Sequence, residues 1–491
     1  MFRFGIRSAA FVIATGFCLA ATVRDFAARF ADPAVPEHLS GWRAAMRAVP
    51  DDVCAVPCDD PADPDPVTRA RLIALTWEGS PKRALPCSWD DLDRATLITP
   101  ALLAAAVRER LTSSGYACTA RNEFAAVWTR GQPARDDASA PRAPGLLAEA
   151  PGSLTVLLAV FAAFAVFRRV LGDRPSAAVW MFGAAIFFLV SAVTLQHGLL
   201  TPNGLGVQAG KAKLFWTCGG VPSGFWTDPA FAVLQPAYPP GLTVLAFLAF
   251  ALSGGCGEHF VQLLGPFALA ALFVEIATSA RDRRGWIAGA LFVLSPTAVR
   301  LASGFYAEPW AALLLVCGVH ACRAGRPVLG GTVAGCAALF RPEALVLILV
   351  AAAWMRIRVG TCSVPWSAAV GAFAPAVVWW FFVRFAGARL YGFAAAACPD
   401  PKRMLFALRA WSAGVVRIAA SGAAVVFAAL GERCSRQALV VAGIAGGLGI
   451  VLAGFNVSAR FEWAVENLMP RFIWLSCAVP CALAFGRRPA E

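Results

Sequence analysis

Apolar and polar stretches alternate along this chain with a period of about 20 residues, the length a helix needs to cross a bilayer. A first apolar run, Ser8 to Thr22, is followed by a polar block that extends to Ala150. Further apolar runs then arrive in close order at 152–167, 177–199, 240–254, 259–277, 285–299, 309–322, 327–340, 343–356, 366–383, 410–430, 437–456 and 468–486. The pattern predicts an all-α polytopic membrane protein with about 12–13 transmembrane or re-entrant helices. Residues 1–22 form an N-terminal anchor, 23–150 an extracytoplasmic insert, and 151–491 the membrane domain. A cleavable signal is the alternative reading of the first run, because small residues follow it in "CLAATV".

Composition strengthens this picture. Of the 491 residues, 58% are hydrophobic and 15% charged, against about 25% charged in a soluble domain. The net charge of +13 is unevenly spread, since Thr22 to Ala150 holds 18 of the 30 acids and 15 of the 43 bases. The remaining bases gather in short connectors, "FRRVLGDR", "ARDRRG", "CRAGRP", "MRIRV", "GERCSRQ" and "GRRPAE". Such clusters mark the cytoplasmic side, so the positive charge needs no nucleic acid to explain it. The protein is expected to be multi-pass in the inner (cell) membrane, with membrane lipids as its surroundings.

Counting crossings exposes one irregularity. Arg3 and Arg7 keep the N-terminus inside, which puts the loop from Gly206 to Leu242 outside. Between that loop and "ARDRRG" the chain must cross an odd number of times, yet two apolar runs are present. One of 240–254 and 259–277 is therefore expected to be re-entrant or interfacial.

The cysteines bear on compartment. Most of the 15 lie singly in apolar runs, but Cys54, Cys58, Cys87 and Cys118 fall in the polar block, where an oxidising compartment predicts disulfides. "CAVPC" lacks the histidines or second cysteine pair of a metal site. No metal or other cofactor is implied.

Outside the polar block there are few acids, and an ionisable group at membrane depth is costly unless it faces a cavity or a partner. Asp228, Glu258, Glu275, Glu308, Glu343, Asp400, Glu462 and Glu466 are of this kind. Simple pairing is the competing explanation: Glu343 with Arg341, Glu275 with Arg281, Glu308 with Arg300. Lys211, Lys213, Arg300, Arg341, Lys402, Arg403 and Arg471 fall on the outer side in this topology. Converging cations there would suit a lipid phosphate, whereas isolated ones would simply snorkel.

Four stretches in order carry a resemblance: "GVQAGKAKLFW" with "LQPAYPPGL", then "LSPTAVRLASGFYAEPWAALLL", then "AGCAALFRPEALVLI", and finally "FEWAVENLMPRFIWLSCAVP". Together they resemble the polytopic glycosyltransferases of the C superfamily, the polyprenyl-phosphate-sugar-dependent enzymes related to protein mannosyltransferases. The resemblance covers about 177–486 and leaves the polar block outside. It implies sugar transfer on the outer face, from a polyprenyl-phosphate-linked donor to a hydroxyl of an acceptor glycan, lipid or protein. Glu308 occupies the slot of the family's second-loop acid. Lys211, Lys213, Arg471, Arg341 and Tyr238 become candidates for holding the lipid phosphate. The chain departs from the family at Asn203, which stands where the first-loop aspartate is expected, and an amide cannot accept a proton. Asp228 and Glu308 are the nearest acids that could replace it, with Asp25 more remote, and Glu308 is the first candidate for the catalytic carboxylate. A transporter or flippase for lipid-linked or small hydrophilic substrates, and a non-catalytic relative of the glycosyltransferases, remain as alternatives.

Overall fold

A computed structural model gives the fold. Besides scattered positions, it describes the strands between 53 and 130, residues 150–172, 175–197, 203–227, 234–255, 261–280, 283–349 and 366–387, and Arg471 with 474–478. The predicted runs at 410–430 and 437–456 lie outside the described residues.

The described part of the polar block holds a sheet, which corrects the all-α expectation. It forms a five-stranded mixed sheet from β1 (Val53–Cys58), β2 (Arg83–Ser88), β3 (Thr96–Pro100), β4 (Tyr116–Arg121) and β5 (Ala125–Arg130), in the order β2-β1-β3-β5-β4. The central strand reads "TLITP", and Leu97, Ile98 and Thr99 in succession are buried, as a strand covered on both faces requires. Leu97, Leu111, Tyr116, Ala126 and Trp128 form its core. The Trp128 indole donates to Thr99 Oγ1 at 2.9 Å, so the ring is buried without an orphaned N–H. The side chains of Cys54, Cys58 and Cys87 lie outside the described residues. Cys118 is half-buried against that core.

The rest of the described chain is helical. The helices are α1 (Ala150–Val170), α2 (Ala177–His197), α3 (Lys211–Thr217), α4 (Gly241–Ser253), α5 (Leu264–Ser279), α6 (Arg283–Val293), α7 (Pro296–Ser303), α8 (Glu308–Arg323), α9 (Pro327–Cys336) and α10 (Trp366–Phe385). A π-helical stretch, Asn203–Gly210, runs directly into α3. Among the described residues, two segments, Ala177–Leu195 and Ala368–Phe385, are long and apolar enough to cross a membrane. A third is added if the pair Gly285–Val293 and Pro296–Ser303, bent by 49°, is one span. That bend has a local cause: Pro296 cannot donate to the preceding turn, and the Ser295 hydroxyl accepts from the Ala298 amide to start α7 afresh.

Helix α5 lies at the centre and packs on α2, α6, α7 and α8. It is apolar all round and nearly all of it is buried, as expected for a helix enclosed on every side. By contrast, α2 and α10 turn large apolar side chains outward, among them Met181, Phe188, Val378 and Phe385. Such surfaces suit hydrocarbon better than water. The runs expected at 240–254 and 259–277 form helices of 13 and 16 residues, each shorter than a full span.

Candidate functional site

Helix α8 begins at Glu308, which is followed by Pro309 in the first turn, where its missing N–H costs nothing. Two residues on, Trp310 stacks between Phe267 and Phe340, with ring centroids 6.0 Å away on both sides. Phe340 immediately precedes Arg341, so this stack brings Arg341 to the start of α8. The Glu308 carboxylate is 1% exposed. Its Oε1 accepts from Arg471 Nε at 2.6 Å and from Arg471 Nη2, and lies 3.6 Å from Arg341 Nη1. Arg471 is steered there by Trp474, one helical turn further on. The Trp474 ring stacks on Phe292 at 5.0 Å, and its indole donates to the Phe292 carbonyl. The Arg471 guanidinium also covers the face of Tyr306 at 4.3 Å.

Arg341 extends the group toward the first loop. Its Nη1 donates to the Tyr238 hydroxyl at 2.6 Å and its Nη2 to Glu343 Oε1 at 3.0 Å. Tyr238 in turn meets Lys211, whose Nζ donates to the Tyr238 carbonyl at 3.2 Å and the Gln235 carbonyl at 3.4 Å. The same Nζ lies 5.8 Å from the Tyr238 ring centroid. Lys211 is 2% exposed, and burial lowers its pKa to about 7 from 10.5. Five residues from separate stretches thus form one connected polar group: Lys211, Tyr238, Glu308, Arg341 and Arg471.

The backbone around the group is strained. Among the described residues only Gln235 and Phe305 have positive φ without being glycine, at 48° and 53°. Gln235 supplies a carbonyl to Lys211, and Phe305 precedes Tyr306. Such conformations cost of order 1–3 kcal/mol and gather at functional sites. Two glycines permit close approaches here. A Cβ at Gly241 would lie 2.7 Å from the Phe340 ring, and one at Gly304 would lie 2.5 Å from the ring of Tyr306. Larger residues at either position would push apart the segments that carry Tyr238, Arg341 and Glu308.

The remaining candidates fall elsewhere. Lys213 is half-buried two positions after Lys211, a spacing that does not share a helix face. Asn203 opens the π-helical stretch, but its side chain lies outside the described residues, as does Asp228. Glu343 pairs with Arg341 as the short spacing suggests. The partner expected for Glu308 was wrong: it binds Arg471 and Arg341 rather than Arg300. Glu275 binds Arg168 at 2.7 Å and His320 at 2.7 Å, with Ser279 Oγ 2.9 Å from His320 Nδ1, and its expected partner Arg281 lies outside the described residues. Tyr306, which the sequence sets beside Glu308, lies against the Arg471 guanidinium.

The Glu275 group lies at the far end of α8 from Glu308. His320 is 12 residues along that helix, a rise of about 18 Å. The two buried ionic groups therefore share a rigid strut and never touch. Among the described residues, no set of His, Cys, Asp and Glu could hold a metal.

No protein family, curated protein or solved structure matches this chain.

Proposed function

We propose that the protein is a membrane glycosyltransferase that moves a sugar from a polyprenyl-phosphate donor to an acceptor hydroxyl. One observation carries this reading: Lys211, Tyr238, Glu308, Arg341 and Arg471 meet at one end of the bundle, although up to 260 positions separate them. Arg341 and Arg471 are planar donors whose geometry matches a phosphate, and they would receive the leaving group. Glu308 holds both guanidiniums in place. Its Oε2 is buried without a hydrogen-bond partner among the described residues, and is suited to accept from a hydroxyl of the donor sugar. The positive-inside pattern puts this end of α8 on the outer face, within a multi-pass membrane protein of about 12–13 segments. The order of the four family-like stretches supports the same chemistry.

A carrier for lipid-linked or small hydrophilic substrates is the second reading. Its support is the buried Arg168–Glu275–His320 group at the opposite end of α8, since charges at both ends of a helix suit alternating exposure. The two readings separate in proteoliposomes given radiolabelled farnesyl-phosphoryl mannose, glucose, galactose or arabinose with a membrane extract as acceptor. Label in a new covalent product, lost in Arg471→Ala, supports the transferase. Label that crosses the bilayer with the donor intact supports the carrier instead.

A further inference from the structure

Sugar transfer to a hydroxyl needs a group that takes the hydroxyl's proton, and the charges at the site leave few choices. The Glu308 carboxylate is shared by two guanidiniums, which stabilise its anionic form and make it a weak base. Glu343 is committed to Arg341. The Tyr238 hydroxyl accepts from the same arginine, so its oxygen is occupied. Asn203 carries an amide, which does not take up a proton near neutrality.

Lys211 differs from all of these. Among the described residues it faces no carboxylate, and its Nζ is held by two backbone carbonyls. A neutral amine has two N–H bonds and one lone pair. The carbonyls of Gln235 and Tyr238 satisfy the two N–H bonds and leave the lone pair available. Charge balance favours the same form. Arg341 and Arg471 are offset by Glu308 and Glu343, so an ammonium at Lys211 would add an unbalanced buried charge. The turn that supplies one of the carbonyls is strained at Gln235, as a holder of a reactive group can be.

We infer that Lys211, as a neutral amine, is the general base that removes the proton from the acceptor hydroxyl. The inference rests on the transferase reading and adds the group that reading lacks. In the step, the acceptor O–H proton passes to the Lys211 lone pair while the acceptor oxygen forms a bond to the anomeric carbon. The bond from that carbon to the phosphate oxygen breaks, and its electron pair stays on the phosphate beside Arg341 and Arg471. Lys211 ends the step as an ammonium and returns its proton to the solvent as the products leave. The lowered pKa of about 7 lets a large fraction of the lysine start each turnover as the free amine.

The test uses the full chain in phospholipid vesicles with the four farnesyl-phosphoryl sugars and membrane-extract acceptor. Between pH 5.5 and 9, kcat should rise through about 7 and then level. Lys211→Arg keeps a cation but gives up the proton acceptor. It should lower kcat by about 100-fold or more, leave the donor KM within a few fold, and remove the acidic limb. Lys211→Met, close in size and uncharged, should lose kcat alike, which separates lost chemistry from poor accommodation of a guanidinium. Wild-type kcat in either variant, with the acidic limb unchanged, overturns the assignment of Lys211 and leaves sugar transfer standing. If the wild-type chain transfers none of the four sugars, the transferase reading itself fails and the inference falls with it.

Discussion

Replacing Glu308 by glutamine removes the charge that joins Arg471 to Arg341 while keeping the side-chain volume. The carboxylate makes two bonds to Arg471, each charge-assisted and worth about 1.5–3 kcal/mol, where a neutral acceptor gives about 0.5–1.5 kcal/mol. The loss is therefore about 1 kcal/mol for each bond. Arg341 keeps Glu343 at 3.0 Å, so only Arg471 loses its sole carboxylate among the described residues. Leaving one buried charge without a counterion costs about 3–5 kcal/mol in the general case. The Tyr306 ring face at 4.3 Å softens that penalty. A destabilisation of about 2–4 kcal/mol is expected. In the Arg471→Gln background the same substitution should cost about 1–3 kcal/mol less, because the charge it strands is already gone. Equilibrium unfolding in mixed micelles, followed by tryptophan fluorescence, measures all four members of this cycle. Strict additivity, or a single Glu308→Gln cost below about 0.5 kcal/mol, would show that the ion pair contributes no stability.

Three further outcomes follow from the structure. Trp474→Ala removes the stack on Phe292 and an indole hydrogen bond, and should cost about 3–5 kcal/mol in the same unfolding assay; a change under 1 kcal/mol would show that Arg471 is seated by something else. The lowered Lys211 pKa disfavours the charged form in the folded state, so that stability penalty is fully present below about 7 and fades as the pH rises toward the unfolded value of 10.5. Lys211→Met should flatten this rise of the melting temperature with pH, and an identical slope in the variant would refute the linkage. Alkylation of intact cells followed by mass spectrometry should find Cys54, Cys58, Cys87 and Cys118 blocked by oxidation; free thiols at all four positions would place the sheet in a reducing compartment.

The apolar period revealed the helices because burial in a helical bundle or in hydrocarbon leaves long oily runs. It could not reveal the sheet, because the strands of the polar block are short and their alternation is broken by Pro57, Pro86 and Pro100. The site was legible in part. A costly acid beside Pro309, and lysines set among aromatic residues, were enough to single out Glu308 and Lys211. Their partners were not legible, since nearby residues are the easiest to propose and the structure chose distant ones. Arg300 lies 8 residues from Glu308, yet the bond is made by Arg471 at a separation of 163. Glu275 likewise binds Arg168, 107 positions earlier. Only packing of α1 against α5, and of Trp474 against Phe292 of α6, decides those pairs.

The long separation between Glu308 and Arg471 has a consequence for biosynthesis. At about 5–20 residues per second, Arg471 is made on the order of ten seconds after Glu308. During that interval the glutamate has entered the nascent bundle with Arg341 as its nearest cation among the described residues, and the aromatic seat at Phe292 stands empty. A nascent chain stalled before 471 therefore carries a charge group that lacks one of its two guanidiniums. The ion pair that would serve the reaction thus doubles as a timestamp on assembly.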